Sequence, residues 1–130
     1  MKDMLPGRGV AEAVLLPIRQ GFPVDVVDRA LAGGKVTLAE LDRLVLPRKT
    51  LSHRRILGSL TSDQSDRLSR VLRIINEAET TFGDPAKAHT WLRRETPLLD
   101  GETPLDRLDT DFGTRQVEAI LGRIAHGLSA

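Results

Sequence analysis

TSDQSDRLSRVLRIINEAETTFG, residues 61–83, is the longest helical segment that the sequence predicts, and it decides the fold class. Thr61 and Gln64 have the spacing of a capping box, in which each side chain accepts a hydrogen bond from the other residue's backbone N–H. Gly83 is the last residue of the segment, and a glycine there is typical of a helix end. Apolar side chains recur between these ends with the period of an amphipathic helix, at Leu68, Val71, Leu72, Ile75, Ala78 and Phe82.

The residues before this segment predict three shorter helices. Pro23 can stand at the first position of one helix, and Thr37 begins a second capping box. Pro47 ends the second helix and begins a third, which we expect to end near Gly58. Residues 1–20 carry no comparable pattern, and we expect an N-terminal arm or a frayed helix there.

The residues after Gly83 predict two further main helices. Asp84-Pro85 is a capping residue followed by a proline at the first helical position, and Thr110 can cap the last helix. Gly127 is the predicted end of that helix, so we expect a short flexible tail after it. No segment alternates with the period of two that a half-buried strand requires. The sequence therefore predicts an all-α fold.

Composition and charge exclude several classes of protein. The 130 residues contain no cysteine, which excludes a disulfide framework, a thiolate zinc site and a cysteine nucleophile. No apolar run is long enough to cross a bilayer, so we expect a cytoplasmic protein without a membrane partner. Residues 1–60 hold ten Lys/Arg against six Asp/Glu, whereas residues 61–130 hold nine against twelve. This asymmetry favours a first half that binds an anion and a second half that binds a different partner, and a chance distribution of so few charges is the alternative.

The basic segment PRKTLSHRR, residues 47–55, is the candidate anion-binding element. Residues 37–45 and 48–57 form two predicted helices around a tight corner at Leu46-Pro47, which is the outline of a helix-turn-helix. Arginine can contact a guanine edge, Lys, Thr and Ser suit phosphate, and the helix dipole should attract phosphate to the start of the second helix. A solvated basic face and an acidic protein partner are the alternatives. The candidate DNA contacts are Arg48, Lys49, Thr50, Ser52, His53 and Arg55.

No arrangement of residues indicates catalysis or metal binding. His53, His89 and His126 fall in three different predicted helices, without an acidic or cysteine companion at metal-ligand spacing. Asp109 and Asp111 flank a predicted helix cap, where negative charge stabilises the helix N-terminus. We therefore expect no catalytic residue, no metal and no cofactor.

Two stretches resemble antitoxins of the Xre/MbcA/ParS type, which partner RES-domain toxins. They are LTSDQSDRLSRVLRIINEAETTFGDPAKAHTWL (60–92) and LDGETPLDRLDTDFGTRQVEAILGRIAHG (99–127). The basic corner adds to them, and the resemblance extends from about Gly21 to the C-terminus.

The resemblance implies a two-part protein behind an N-terminal arm (1–20). An Xre-like helix-turn-helix (21–60) would bind the operator of its own operon, and a long connecting and dimerisation helix (61–83) would follow. A helical toxin-binding domain (84–130) would block the active site of the toxin. RES toxins are similar to ADP-ribosyltransferases and consume NAD, whereas this chain would bind none itself. We expect a homodimer, because one helix-turn-helix has a small footprint on DNA, and a larger hetero-oligomer with the toxin.

The resemblance also implies that the C-terminal end contacts the toxin, since a terminal segment can enter a partner's cleft. Composition alone favours an ordinary frayed terminus. A stand-alone helix-turn-helix regulator, whose second half only dimerises, is the alternative function, and a hydrolase is disfavoured because no nucleophile and base converge. The candidate toxin contacts are Arg123, Ile124, His126, Gly127, Leu128, Ser129 and Ala130.

Overall fold

The computed structural model describes residues 15–129, except for the side chains of residues 128 and 129. Within this range the chain forms helices and no strand, which confirms the all-α fold. The helices are α1 (residues 15–20), α2 (Asp25–Ala32), α3 (Leu38–Leu44), α4 (Arg48–Leu57), α5 (Ser62–Phe82), α6 (Pro85–Leu92) and α7 (Asp111–Ser129), with 3-10 turns at Pro97–Leu99 and Asp106–Asp109.

The predicted caps explain where most helices begin. Thr61 Oγ1 accepts the backbone N–H of Gln64 at 3.1 Å, and Gln64 Oε1 accepts that of Thr61 at 2.9 Å. The same reciprocal pair forms between Thr37 and Glu40 at the start of α3. Asp84 caps α6 by accepting from the N–H of residue 86. Each bond satisfies an N–H that would otherwise lack an intrahelical partner.

The central helix α5 contacts α3, α6, α7 and the second 3-10 turn. Its buried side chains include the predicted Leu68, Val71, Ile75 and Ala78. Ile74, which the predicted stripe omits, is fully buried as well. Because neighbours pack on several sides of α5, its buried face is wider than a single amphipathic stripe. The buried apolar side chains form one continuous core across both halves of the chain.

The N-terminal half closes on itself through a short antiparallel contact. The backbone N–H of Leu60 donates to Phe22 O at 2.8 Å, and that of Val24 donates to Gly58 O at 3.1 Å. Gly21 permits this approach, because a Cβ at this position would lie 2.1 Å from Leu60 O. The corner between α3 and α4 contains no glycine, and it buries Val45 and Leu46 instead.

The two 3-10 turns lead into α7, where Thr110 acts as the predicted cap. Thr110 Oγ1 accepts the backbone N–H of Gly113 at 2.9 Å. A Cβ on Gly113 would lie 2.1 Å from the backbone oxygen of Arg107, so the turn can approach the helix only beside a glycine. The start of α7 is therefore fixed against the loop that precedes it.

Two expectations about the ends of the chain need correction or restriction. Gly127 does not end α7, which continues to Ser129, so the predicted flexible tail is wrong up to that residue. A glycine inside a helix costs only about 1 kcal/mol relative to alanine, which does not force the helix to end there. Of the predicted arm, residues 15–20 are helical, and residues 1–14 lie outside the described residues.

No helix within residues 15–129 is both long enough and apolar enough to span a lipid bilayer.

We expect Gly113→Ala to lower the free energy of unfolding by about 1–3 kcal/mol, since the new Cβ must displace a backbone oxygen. Gly122→Ala is the matched control in the same helix, where a Cβ meets nothing within 4 Å. That substitution should raise stability by about 0.5–1 kcal/mol, because alanine is the better helix former. Urea unfolding followed by circular dichroism measures both. Equal effects of the two substitutions would contradict the close approach at residue 113.

Candidate nucleic-acid and partner interfaces

The basic helix α4 presents most of the predicted DNA contacts to solvent. Arg48, Lys49, Ser52 and His53 are exposed, and Thr50 is half-buried. Leu51 is buried, as the helical spacing predicts, and it fixes which face of α4 points outward. The first turn and the outer face of this helix are therefore open to a partner.

Two carboxylates reduce the positive charge that α4 offers. Asp42 Oδ1 accepts the backbone N–H of Arg48 at 2.8 Å, so a side chain of α3 already occupies the N-terminus that was expected to attract phosphate. Arg55 Nη1 lies 2.6 Å from Asp28 Oδ1 of α2. Arg55 is therefore held toward α2, whereas Arg48 and Lys49 lie a turn or more away at the other end of the helix.

The predicted toxin contacts lie along the last turns of α7. Arg123, His126 and Gly127 are exposed, whereas Ile124 is half-buried and packs against the core. The backbone of residues 128 and 129 is helical, but their side chains and all of residue 130 lie outside the described part. The structure thus makes this end a helix rather than a loose tail.

Arg107 organises a second surface that the sequence did not reveal. Its Nη2 donates to Leu99 O at 2.9 Å, and its Nη1 donates to Gln116 Oε1 at 2.8 Å. Its Nε lies 2.6 Å from Glu102 Oε1. One side chain thereby ties the loop at 97–102 to the first turns of α7.

A pocket of about 370 Å³ opens beside α6. Its floor is formed by Phe82 and Trp91, whose ring centroids are 5.6 Å apart, and its rim carries Lys87 and Arg94. Both rings are half-buried and also pack against the core, so they support the junction of α5 and α6.

Arg93 at the end of α6 joins the C-terminal half to the helix-turn-helix. Its Nε donates to Glu40 Oε2 at 2.8 Å and its Nη2 to Glu40 Oε1 at 2.9 Å, which is a bidentate ion pair between α6 and α3. Nη2 also donates to the backbone oxygen of Lys35 at 3.2 Å. A guanidinium gives five donors in a fixed plane, which is why one arginine can hold all three acceptors.

A second ion pair extends this contact. Lys35 Nζ lies 2.5 Å from Glu79 Oε1, and His89 Nε2 lies 2.7 Å from Glu79 Oε2. Arg93 Nη1 contacts His89 Nδ1 at 2.8 Å. Arginine can only donate, so Nδ1 is the acceptor and the Nε2 proton of His89 is directed at Glu79. The network accounts for His89 as a structural residue.

The carboxylates of this network are held in their charged form. Burial would raise the pKa of Glu40, but hydrogen bonds from Arg93 and from the backbone of Thr37 outweigh it, and the pKa is lowered. Burial likewise opposes ionisation of Glu79, and hydrogen bonds from Lys35 and His89 lower its pKa. Each ion pair therefore stabilises the fold only while its carboxylate is deprotonated.

Within residues 15–129 no three His, Asp or Glu side chains are grouped in a way that could hold a metal ion. The carboxylates at 106–111 serve other purposes: Asp106 pairs with Arg43 of α3 at 2.7 Å, and Asp111 pairs with Arg115 one turn along α7.

Two family models match consecutive parts of the chain. Residues 13–73 match the antitoxin Xre-like helix-turn-helix domain, and residues 77–127 match the C-terminal toxin-binding domain of the antitoxins Xre, MbcA and ParS. The chain belongs to this family of antitoxins. The family and the helix-turn-helix are typical of a regulator.

Three relatives, each named antitoxin Xre, agree with this assignment. The protein of Yersinia enterocolitica is 33% identical over 114 residues, which cover 85% of this chain and 77% of the relative. The protein of Pseudomonas putida is 38% identical over 111 residues, which cover 85% and 69%. The protein of Photorhabdus laumondii is 32% identical over 114 residues, with the same coverage as the first.

The boundary between the two matched regions falls inside α5, between residues 73 and 77. The Arg93–Glu40 pair therefore connects the two family domains of this antitoxin, and so does the Lys35–Glu79 pair. No local pattern in the sequence signals either pair, because Glu40 and Arg93 are 53 residues apart.

We expect acid to weaken this connection. A carboxylate whose folded pKa is lowered adds stability above its unfolded pKa, about 4.3, and loses it as the pH falls through the folded value. Burial and the charge of Glu118 raise the pKa of Glu77, so its contribution to stability changes with pH in the opposite direction. Because Glu77 is present in both the parent protein and a Glu40 variant, it does not affect the difference between them. Glu40→Gln should therefore cost about 1.5–3 kcal/mol of unfolding free energy at pH 7 and much less at pH 3.

Urea unfolding of both proteins at several pH values measures the difference. Asp25→Asn, at the exposed Asp25–Arg29 pair on α2, is the control and should change stability little at any pH. A Glu40→Gln cost that does not depend on pH would contradict the charged state of the pair.

Proposed function

We propose that the protein is the antitoxin of a type II toxin–antitoxin system whose toxin is a NAD-consuming RES-domain enzyme. It acts in the cytoplasm as a homodimer that represses its own operon and neutralises the toxin by binding it and blocking its active site. The observation that carries the proposal is the order of the two matches, a helix-turn-helix at 13–73 and a toxin-binding domain at 77–127. The continuous core supports one unit that presents both activities.

The DNA-binding part of the proposal rests on α4. In a helix-turn-helix the second helix enters the major groove with its N-terminal residues against the base edges. Arg48 and Lys49 occupy those positions and are exposed. Arg55 lies at the other end with its charge paired to Asp28, so it contributes less. Two copies related by a two-fold axis would read a palindromic operator, with α5 in the dimer surface.

A double variant tests the DNA contacts. Arg48→Ala with Lys49→Ala should weaken binding to the operon's promoter and make the slope of log K against log salt shallower by about 0.9 for each phosphate that the protein no longer neutralises. Arg55→Ala is the matched control on the same helix and should have the smaller effect, because Asp28 already neutralises it. Fluorescence anisotropy at several salt concentrations gives both values. Promoter binding that the double variant leaves unchanged would remove α4 from the interface.

The toxin-blocking part of the proposal rests on the C-terminal domain and on its last residues, Arg123 to Ala130. Since α7 continues to Ser129, the proposed blocking element is the end of a helix. A helix end that projects from a folded domain can enter a cleft without first paying the entropy of ordering a loose chain.

Deletion of residues 126–130 tests the blocking element. It leaves the half-buried Ile124 in place, so the fold and promoter binding should be retained. The shortened antitoxin should still co-purify with the toxin from the neighbouring gene, but growth and cellular NAD should fall when the two are co-expressed. Full protection by the shortened chain would remove the blocking role from the C-terminal end.

The same co-purification separates the proposal from its alternative. A stand-alone regulator whose second half only dimerises would bind its promoter and retain no neighbouring gene product. The match of residues 77–127 to a toxin-binding domain favours the antitoxin.

A further inference from the structure

Two large apolar side chains of the C-terminal half point into solvent. Leu98 is 68% exposed and Phe112 is 71% exposed, and the other strongly exposed large apolar side chains of the described chain all precede residue 60. Phe112 is one of four aromatic side chains in the sequence, and the other three are half-buried against the core. Aromatic side chains are enriched at protein–protein interfaces relative to the rest of the surface.

The backbone that carries these two side chains is fixed. Arg107 binds Leu99 O beside Leu98, and it binds Gln116 one turn after Phe112 on the same face of α7. The close approach at Gly113 locks the residue next to Phe112. A surface whose backbone is already ordered loses little entropy when a partner binds it.

Carboxylates flank the two apolar side chains in the sequence. Residues 97–112 contain five Asp/Glu and one arginine, Arg107, which pairs with Glu102 and Asp100. Asp106 and Asp111 pair with Arg43 and Arg115, so the five carboxylates face three arginines and keep an excess of two negative charges. Asp109 and Asp111 are exposed on either side of the α7 cap, and the side chain of Asp100 is 95% exposed. A surface with this charge repels DNA phosphates and suits a basic protein.

We propose that this acidic apolar surface, formed by Leu98, Asp100, Asp109, Asp111 and Phe112, is where the toxin docks. The partner it fits is a basic face of the toxin with an apolar depression that receives Phe112. The inference rests on the proposed function and goes beyond it, because it separates attachment from blocking. Phe112 lies about 24 Å along α7 from Leu128, so docking and blocking occupy opposite ends of one helix.

The charges of the two ends of α7 support this division. The last eight residues, 123–130, contain one arginine, one histidine and no carboxylate. They cannot attract a basic face, whereas the carboxylates at 100–111 can. The pocket formed by Phe82, Trp91, Lys87 and Arg94 is basic at its rim and would require an acidic partner.

The experiment measures binding of the full-length antitoxin to the purified toxin from the neighbouring gene by calorimetry. Phe112→Ser should weaken binding at least about 30-fold, as expected for an aromatic side chain at the centre of an interface. Asp109→Asn with Asp111→Asn should weaken binding mainly at low salt and flatten its salt dependence. Ile56→Ser is the matched control, because Ile56 is 82% exposed in the other half, and it should leave toxin binding unchanged. Thermal unfolding should stay near that of the parent protein for all three variants, and promoter binding should stay near it for the two variants of the C-terminal half.

The outcomes separate this inference from the proposed function. Tight binding by Phe112→Ser would overturn the docking surface and leave the antitoxin function standing, whereas an unaltered antitoxin that binds no toxin would overturn both. Loss of binding in Lys87→Ala with Arg94→Ala, but not in Phe112→Ser, would move docking to the basic pocket. A change from dimer to monomer in Phe112→Ser, with toxin binding intact, would assign the surface to a second copy of the chain. A Phe112→Ser variant that loses toxin binding and protection while it still binds promoter DNA would support the docking surface.

Discussion

The bidentate ion pair between Arg93 and Glu40 is the contact on which the arrangement of the two halves depends. Glu40 also accepts the backbone N–H of Thr37, so one carboxylate both closes the cap of α3 and holds the end of α6. Because Glu40 is buried, its charge requires these hydrogen-bond donors. Loss of Arg93 would leave a buried carboxylate without its charge partner, which is strongly destabilising. The first helix of the DNA-binding motif is therefore tied to the toxin-binding domain by the same side chain that starts it.

This connection and the shared core hold the two proposed interfaces in a fixed relation. Helix α5 belongs to both family domains, and its buried side chains share one core with α3 and α7. His89 of α6 and Arg93, the residue directly after that helix, then link the shared core to the loop around Lys35. A toxin bound to the C-terminal domain would consequently sit at a defined position relative to α4. A bound toxin would therefore affect the distance between the two α4 helices of a dimer on an operator without any change in the fold of the antitoxin.

The sequence predicts what local patterns encode and misses what distant residues form. The capping boxes at Thr37 and Thr61, the caps at Asp84 and Thr110, and the burial of Leu51 follow from residue types a few positions apart, and all are confirmed. The end of α7 was predicted wrongly, because Gly127 permits a helix end without requiring one. Ile74 is buried because neighbouring helices pack over it, and Arg55 is paired with Asp28 of a different helix. Neither contact leaves a periodic signal in the sequence. The exposure of Phe112 has no signal in the local pattern either, and Arg107, which ties α7 to the preceding loop, acts through contacts with distant residues.

The placement of carboxylates determines which charges the basic helix and the acidic surface can offer to a partner. Asp42 of α3 accepts from the N-terminus of α4, and Asp28 of α2 pairs with Arg55 at its other end. Arg48 and Lys49 remain as the cations nearest the end of α4 that is proposed to enter a groove. In the C-terminal half, Arg107, Arg43 and Arg115 pair with four of the five carboxylates at 100–111, so these residues keep an excess of only two negative charges. The net charge of +1 for the whole chain does not show that positive and negative charges lie on different surfaces. Internal ion pairs of the antitoxin thus determine which charges remain available, and the charges that remain are positive where DNA is proposed to bind and negative where the toxin is proposed to dock.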